Sequence, residues 1–261
     1  MSQIHPSAII EDGAQIGTDC WIGPFSIIGA DVRLGDRVRI KSHVVITGDT
    51  EIGDDTEIYP FSVIGEIPQD KKFKGEKSRL VIGKRNRIRE SVTINAGTEG
   101  GGGVTRIGDD GLFMAGVHVA HDCQIGDRVI MVNNAGAAGH CIVEDDVIIG
   151  GISGLHQWVR VGRGAIIGAL TMVPKDVIPY GLVQASRGEL EGLNLVGLKR
   201  RGVAREDISA LRAAFRAMAS DEGTFQERVS KIAEENESPY VREIVDFVLA
   251  DTDRHFLTPR P

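Results

Sequence analysis

The stretch "IGTDCWIGPFSIIGADVRLGDRVRIKSHVVI", residues 16–46, carries an aliphatic side chain at every sixth position. A helix has a period of about 3.6 residues and a plain strand alternates with a period of about two, so neither gives a period of six. Repeats of six residues are typical of a parallel β-helix, in which each hexad forms a short strand and a corner and points one aliphatic side chain inward. The stretch therefore predicts a β-helical coil.

The hexad repeat extends over most of the chain in three blocks. They run from Ile4 to Ile64, from Ile82 to Ile94 and from Ile107 to Val173. The breaks between the blocks are "GEIPQDKKFKGEKSRLV", near residues 65–81, and "GTEGGGGVT", near residues 97–106. Because a regular scaffold carries its chemistry on insertions, we expect both breaks to be external, functional loops.

The end of the chain follows a different pattern. After Pro179 the hexads stop and the apolar residues take helical spacing, and Thr224 with Glu227 forms the capping box that opens a helix. We therefore predict a β-helix domain over residues 1–185 and a C-terminal α-helical domain over residues 186–261. The helices could cover an open end of the coil, which would otherwise expose strand edges.

Composition limits the classes of function. Thirty basic and thirty-seven acidic residues give a net charge of −7, which argues against a nucleic-acid binder. Three scattered cysteines do not suit a disulfide framework. The first residues do not resemble a signal peptide, and no run of about 18 apolar residues occurs. We expect a soluble, cytoplasmic protein with no nucleic-acid partner and no stable membrane insertion.

Four of the seven histidines fall beside one column of the predicted coil. With three hexads per coil, residues eighteen apart stack directly, about 4.8 Å from each other, so Val119, Ala137 and Leu155 form an inward column. The four histidines lie within three residues of that column, and none takes an inward position: His118, His121, His140 and His156. Imidazoles bind metals or move protons near neutral pH, so this cluster is a candidate site.

Two kinds of site fit such a cluster. A zinc ion needs three nitrogen ligands that converge at about 2.0 to 2.1 Å, as in hexapeptide proteins that resemble the gamma class of carbonic anhydrases. A general base needs one imidazole that reaches a hydroxyl and a neighbour that orients it. Gly139 beside His140 favours the second chemistry, because a bare backbone N–H can face a developing oxyanion. We take His121 as the base and Asp122 as the neighbour that would orient it, although adjacent residues on an extended strand point opposite ways.

Besides the hexads, the chain carries the motifs "IPQDKKFKGE", "RNRIRESVTI", "HVAHDC", "NNAGAAGH", "GLHQW" and "GLKRRG" in this order. Over nearly its whole length it closely resembles the UDP-N-acetylglucosamine O-acyltransferases that begin lipid A biosynthesis. The resemblance implies a left-handed parallel β-helix, an exception to the right-handed crossover rule, assembled as a homotrimer with active sites between subunits. It implies transfer of a (R)-3-hydroxyacyl group from acyl carrier protein to the 3-hydroxyl of a UDP-sugar. No cofactor is implied beyond the phosphopantetheine of the carrier protein.

The resemblance also implies a role for each matching residue. His121 matches the general base and the Gly139 N–H matches the oxyanion donor. Asn194 and the two arginines after it match a nucleotide-binding segment, since a guanidinium suits a diphosphate. Substrate contacts are implied for Asp70, Lys72, His118, His140, His156, Gln157, Asn194, Arg200 and Arg201.

Some positions depart from the family pattern. Ala169, with Ile166 close by, stands where some relatives have glycine, at a position that measures acyl length. Its methyl group is expected to shorten the accepted chain, because overpacking costs about 1 to 3 kcal/mol. Arg187 and Val196 replace a histidine and an acidic residue in the nucleotide segment. Asn95 replaces a histidine near the sugar.

Three other interpretations stay open at the level of sequence. The acceptor could be the 3-amino group of a UDP-diamino sugar, the protein could be a zinc-dependent gamma-type carbonic anhydrase, or the coil could be an inert scaffold. Acyl carrier protein is acidic, so its docking site should be basic. The candidate docking residues are Lys71, Lys72, Lys74, Arg160 and Arg163.

Overall fold

The computed structural model describes residues 1–184, 188–220, 223–250 and 255–259. These residues form a left-handed parallel β-helix followed by a helical region, which confirms the predicted fold class. The division between residues 185 and 186 that the sequence suggested lies outside the described residues.

Each coil contributes one short strand to each of three sheets, which we name faces A, B and C. Face A contains the strands Gln3–Ile4, Trp21–Ile22, Arg39–Ile40, Glu57–Ile58, Arg87–Ile88, Leu112–Phe113, Ile130–Met131, Ile148–Ile149, Ile166–Ile167, Gly181–Gln184 and Glu189–Leu193. Face B contains Ile9–Ile10, Ile27–Ile28, Val45–Ile46, Val63–Glu66, Thr93–Asn95, His118–Val119, Gly136–Ala137, Gly154–Leu155 and Met172–Val173. Face C contains Gln15–Ile16, Arg33–Leu34, Asp49–Ile52, Arg79–Ile82, Val104–Ile107, Gln124–Ile125, Ile142–Val143 and Arg160–Val161. All the paired strands are parallel except the last two of face A.

The register of face B is constant from Val119 to Val173, and it places the histidines. Val119 pairs with Ala137, and Ala137 pairs with Leu155, as the interval of eighteen residues predicts. The interval lengthens only where the hexads break, from Ile64 to Ile94 and from Ile94 to Val119. The register therefore resumes unchanged after each break.

The extra residues form two loops at the corner between faces B and C. Loop 1 comprises residues 67–78 and loop 2 comprises residues 96–103, which includes the short 3-10 helix Glu99–Gly101. Both are shorter than the breaks in the hexads, because the flanking strands extend to Glu66 and begin again at Arg79 and Val104. The Glu76 carboxylate accepts hydrogen bonds from the N–H groups of Lys74 and Glu99, at 2.8 and 3.5 Å, and so joins the two loops.

The corners have a left-handed backbone conformation, although few corner residues are glycine. Eighteen described non-glycine residues have φ between 54° and 68°. At the corner between faces B and C these are Asp122, His140 and Trp158, each three residues after an inward side chain. This conformation costs about 1–2 kcal/mol for each L-residue, so the surrounding coil must impose it.

The inward side chains fill the prism as the hexads predict. Ile22, Ile40, Ile58 and Ile88 on face A are completely buried, and Phe113 is the largest side chain of the same column. Burying one such aliphatic side chain contributes about 1.5–3 kcal/mol. The stack is therefore the main source of stability of the coil and the reason why its corners stay in place.

In the part of the chain that the structure describes, four helices follow the coil: α1 (Leu195–Arg200), α2 (Arg205–Met218), α3 (Phe225–Glu235) and α4 (Pro239–Leu249). Thr224 and Glu227 form the predicted capping box at the start of α3. No helix among the described residues is long and apolar enough to cross a membrane.

A buried ion pair connects the coil to these helices. Arg160 Nε lies 2.8 Å from Asp176 Oδ2, and the Asp176 carboxylate is completely buried. The Arg160 guanidinium also stacks over the Phe247 ring of α4, 4.8 Å from its centroid. One arginine thus joins the coil to α4.

Candidate active site

Loops 1 and 2 stand beside the corner between faces B and C, where Asp122, His140 and Trp158 follow one another at intervals of eighteen residues. A cavity of about 540 Å³ lies between the loops and this corner. Asp70 and Lys72 of loop 1 line it together with His140 and Trp158. Its size is within the usual range for small-molecule sites, about 300–1,000 Å³.

His121 and Asp122 form a buried pair at this corner. His121 Nδ1 lies 2.8 Å from Asp122 Oδ2, and only 6% of one side chain and 1% of the other is exposed. Because an ionised carboxylate only accepts, Nδ1 carries the proton and donates it, which leaves Nε2 as the basic nitrogen. Adjacent side chains on an extended strand would diverge. They meet here because Asp122 has φ 62° and turns the chain.

His140 is fixed by aromatic contacts on the same corner. Its ring stacks on Trp158 with centroids 3.8 Å apart and an interplanar angle of 5°. The rings of His121 and His140 meet edge to face at 4.9 Å. Burial lowers the pKa of His140, with the nearby Asp122 carboxylate acting in the opposite direction. His140 is therefore a largely neutral ring in a fixed orientation at neutral pH.

His118 lies on face B, on the strand that leads into this corner. Its Nδ1 is 2.8 Å from Thr93 Oγ1 on the preceding coil. Burial lowers the pKa of His118, and the neighbouring His121 lowers it further. His118 thus presents an uncharged imidazole as a hydrogen-bonding group.

Gly139 packs directly against the His121 ring. A Cβ placed on Gly139 would lie 2.5 Å from His121 Cε1 and 2.7 Å from Nε2, far inside contact distance. Among the described residues none accepts a hydrogen bond from the Gly139 N–H. Gly139 and the basic nitrogen of His121 are therefore close neighbours, and a backbone N–H donor lies at the same corner as the imidazole.

His156 and Gln157 lie on the next coil and are exposed. His156 Nδ1 contacts the Gln157 carbonyl oxygen at 3.2 Å. Both stand next to Trp158 at the corner between faces B and C. Their side chains are available to a ligand that extends past His140.

The nucleotide-segment residues lie at a different corner of the same chain. Asn194 caps α1, donates to the Gly164 carbonyl at 2.9 Å, and is 7% exposed. Arg201 lies over the Tyr180 ring, 5.7 Å from its centroid, and Arg200 is exposed. Because these contacts belong to the corner between faces C and A, one chain does not bring this segment to the histidines.

The residues expected to measure acyl length lie on face A and at the third corner, between faces A and B. Ile166 is a half-buried outward residue of face A, and Ala169 is exposed beyond it, towards face B. Neither residue contacts the histidine cluster in the described chain. The expected site residues are therefore distributed over three corners of the prism.

The departures from the family pattern have different environments. Asn95 is buried and donates its amide to the carbonyls of Glu66 and Ile67, at 3.3 and 2.9 Å, so it anchors the start of loop 1. Val196 on α1 is 62% exposed. Arg187 lies outside the described residues.

The basic candidates for docking divide into two groups. Lys71, Lys72 and Lys74 are exposed on loop 1. Arg160 is largely buried against Asp176, and Arg163 pairs with Glu243 at 2.9 Å. Only the loop 1 lysines combine exposure with a place beside the cavity.

One group of side chains has the spacing of a metal site. Candidate ligand atoms of His121, Asp122 and His140 lie within 4.8 Å of one another. In the described structure the first two of these residues are already hydrogen-bonded to each other, so a metal would have to replace that bond.

Sequence reasoning missed three contacts of the site. Trp158 covers His140, Thr93 binds His118, and Thr98 of loop 2 donates two hydrogen bonds to Asp122, at 2.6 and 2.7 Å. The interval of eighteen residues was a signal for Trp158, because it follows His140 by one coil. Thr98 has no such signal, because it lies in an irregular loop.

Two family models match the chain. Residues 176–256 match a family described as UDP-N-acetylglucosamine O-acyltransferase, domain 2. Residues 13–48 and 33–66 match bacterial transferase hexapeptide repeats.

Curated relatives are similar over most of their length. An acyl-[acyl-carrier-protein]–UDP-N-acetylglucosamine O-acyltransferase of Paracoccus denitrificans is 65% identical over 203 residues, which cover 78% of this chain and 77% of the relative. The protein of the same name from Agrobacterium fabrum is 44% identical over 260 residues, covering 99% of this chain and 96% of the relative.

Solved structures agree with this relationship. A UDP-N-acetylglucosamine acyltransferase from Campylobacter jejuni has a TM-score of 0.91 at 38% identity, covering 99% of this chain and 100% of the other. The enzyme from Moraxella catarrhalis has a TM-score of 0.92 at 38% identity, with coverage of 97% and 99%. These similarities do not favour a carbonic anhydrase. The chain belongs to the UDP-N-acetylglucosamine O-acyltransferase family.

Proposed function

We propose that this protein transfers a (R)-3-hydroxyacyl group from acyl carrier protein to the 3-hydroxyl of UDP-N-acetylglucosamine, the first step of lipid A biosynthesis. The observation that carries the proposal is the buried His121 imidazole, held by Asp122 and packed against Gly139 with its free N–H. A base and an oxyanion donor side by side suit transfer of an acyl group from a thioester.

The reaction follows from these positions. His121 Nε2 takes the proton of the sugar 3-hydroxyl as its oxygen attacks the thioester carbonyl. The Gly139 N–H donates a hydrogen bond to the oxyanion that forms, and the Asp122 carboxylate balances the charge of the imidazolium. When the intermediate collapses, the C–S bond breaks and the phosphopantetheine thiolate takes the proton from His121. Both proton transfers use one imidazole, so the proposed cycle needs no metal or other cofactor.

We assign the remaining residues by their place around the cavity. Asp70, Lys72 and His140 line the cavity, and His118 lies on the face B strand that leads to it. In this assignment they border the sugar and the reacting carbonyl, and the neutral rings of the two histidines suit hydrogen bonds to sugar hydroxyls. His156 and Gln157, beside Trp158 on the next coil, would contact the part of a ligand that extends past His140.

We further propose a cytoplasmic homotrimer. Its support is the separation of the expected residues within one chain, since the nucleotide segment and the acyl-length residues lie at other corners than the histidines. Packing of one prism against a second copy would bring a different corner of that copy to His118, His121 and His140. Asn194, Arg200 and Arg201 would then hold the diphosphate, and Ile166 and Ala169 would limit the acyl chain. In this assignment residues 1–185 carry the chemistry and residues 186–261 form the helical domain.

The decisive experiment combines the purified protein with a panel of hydroxyacyl carrier proteins of different length and with both UDP-N-acetylglucosamine and its 3-amino analogue. Mass analysis of the products identifies acceptor and chain length. His121→Ala is expected to lose about 10²-fold or more in rate, because general-base catalysis contributes this much. Near-full activity of His121→Ala would refute the mechanism, and acylation of the 3-amino sugar alone would replace the proposed acceptor. Stoichiometric zinc in the active protein, measured by elemental analysis, would also contradict it.

A further inference from the structure

Loop 2 folds directly onto the Asp122 carboxylate. The Thr98 N–H donates to Asp122 Oδ1 at 2.7 Å, and the Thr98 hydroxyl donates to Oδ2 at 2.6 Å. Both residues are buried as a whole, with 6% of Thr98 and 4% of Asp122 exposed, so both bonds are shielded from water. Oδ2 is also the oxygen that accepts the hydrogen bond from His121. The carboxylate thus receives three donors, two of them from one residue of the loop.

The backbone of the loop is arranged to keep this contact. The Thr98 carbonyl accepts hydrogen bonds from the N–H groups of Gly101 and Gly103, at 3.0 and 2.7 Å, which closes the turn on itself. Gly101 lies against the carboxylate so closely that a Cβ there would be 2.0 Å from Asp122 Cγ. Any larger residue at this position would displace either the loop or the carboxylate.

We propose that Thr98 is a positioning residue of the acyltransferase, and that the glycine-rich loop 2 holds the Asp122 carboxylate against the imidazole of the His121 base. This inference rests on the proposed function. Hydrogen bonds to a charged group favour its ionised form. The two bonds from Thr98 also prevent the carboxylate from rotating away from the ring. Asp122 is therefore a fixed, charged acceptor when the imidazole takes the proton of the substrate. We call the series of hydrogen bonds from Thr98 through Asp122 to His121 the relay.

A substitution that removes only the Thr98 hydroxyl tests the positioning role without disturbing the fold of loop 2. Thr98→Val keeps the backbone donor, the branched shape and the carbonyl that closes the turn, and it removes only the bond to Oδ2. We expect kcat to fall about ten- to a hundredfold, as for loss of a hydrogen bond to a charged group, with KM changed by less than about threefold. Thr98→Ser restores the donor and should recover most of kcat.

The pH dependence of kcat/KM distinguishes a positioning role of Thr98 from a purely structural one, because a structural role would leave it unchanged. Without the Thr98 hydroxyl, the carboxylate is held less firmly against the ring and stabilises the imidazolium less, so the acid limb of kcat/KM should move to lower pH in Thr98→Val and return in Thr98→Ser. Thr56→Val is the matched control, because Thr56 is also fully buried and donates its hydroxyl to a backbone carbonyl, that of Gly83, away from the site. An acid limb that stays in place in Thr98→Val, or a kcat that matches the control, would overturn the proposal.

A second measurement tests the relay without acyl transfer. In protein labelled with ¹⁵N-histidine, the His121 ring should show a protonated Nδ1 in the wild type and a changed Nδ1 signal in Thr98→Val and Gly101→Ala. Gly100→Ala should leave the signal unchanged, because a Cβ there meets no atom within 4 Å. If the wild type transfers no acyl group, the proposed function fails while this signal still reports on the relay. If the wild type is active and the signal is the same in all variants, the relay is refuted and the function stands.

Discussion

Gly139→Ala tests where the His121 ring stands relative to the reacting carbonyl. The new Cβ would be 2.5 Å from His121 Cε1, whereas ordinary contact begins at 3.4 Å, so the ring must move by the difference, about 0.9 Å. A displacement of about 1 Å in a catalytic group can lower the rate about 10²-fold. The backbone N–H at position 139 stays in place, and its φ lies outside the left-handed region, so alanine fits the backbone without strain. The expected loss therefore reports on the imidazole.

The assay is kcat/KM with an acyl carrier protein donor, measured by mass analysis of the acylated nucleotide sugar. Gly136→Ala is the control on the same face, because a Cβ there meets no protein atom within 4 Å and the Gly136 N–H is already bound to the Ser153 carbonyl at 2.9 Å. We expect the control to stay within about threefold of the wild type. If Gly139→Ala is equally active and its unfolding midpoint is unchanged, the imidazole is not the group that the packing displaces, and the reasoning is wrong.

Three further predictions concern pH, stability and salt. Burial lowers the pKa of His118 and His140 below the ordinary value of 6.5, so the unfolded chain binds more protons and the free energy of unfolding should fall as pH drops through 6.5. Urea midpoints at neutral and acid pH check this, and His118→Asn should flatten the dependence. Asp176→Asn leaves the Arg160 guanidinium without its charged partner and should cost about 3–5 kcal/mol in urea unfolding. A loss under about 1 kcal/mol would show that the pair is not needed to hold α4 to the coil. Rising salt should lower kcat/KM for the carrier protein, because loop 1 presents exposed lysines to an acidic partner, and a salt-independent value would contradict this docking site.

The fold was predictable because the hexads report the geometry of the coil directly. One aliphatic residue in six points inward, and the pairing of Ile28 with Ile46 and of Val119 with Ala137 has the predicted interval. The same arithmetic placed His118, His121 and His140 together, since it needs no knowledge of side-chain packing. The predicted ends of the loops were less accurate, because the strands Val63–Glu66 and Arg79–Ile82 extend beyond the hexad pattern.

Contacts at the corners could not be read from the same rule. Alternation of side chains predicts that His121 and Asp122 diverge, and the rule fails because the corner residue has a positive φ. The stacking of Trp158 on His140 depends on rotamers that the interval does not specify. The bonds from Thr98 depend on the course of an irregular loop. The distance of Asn194 from the histidines follows from the path of the chain after the coil, for which the hexads hold no information.

The constant register of the coil limits how the length of such a protein can change. One residue inserted within a strand would turn every later side chain by one position, and the inward isoleucines would face solvent. Length can vary only by whole coils or by segments that leave and re-enter at a corner, as loops 1 and 2 do. The eighteen residues between His121 and His140 form one regular coil without a loop, so their number should be kept, whereas the loops beside them can lengthen. Homologous enzymes should accordingly differ in size at loops 1 and 2 and keep the same number of residues between the two histidines.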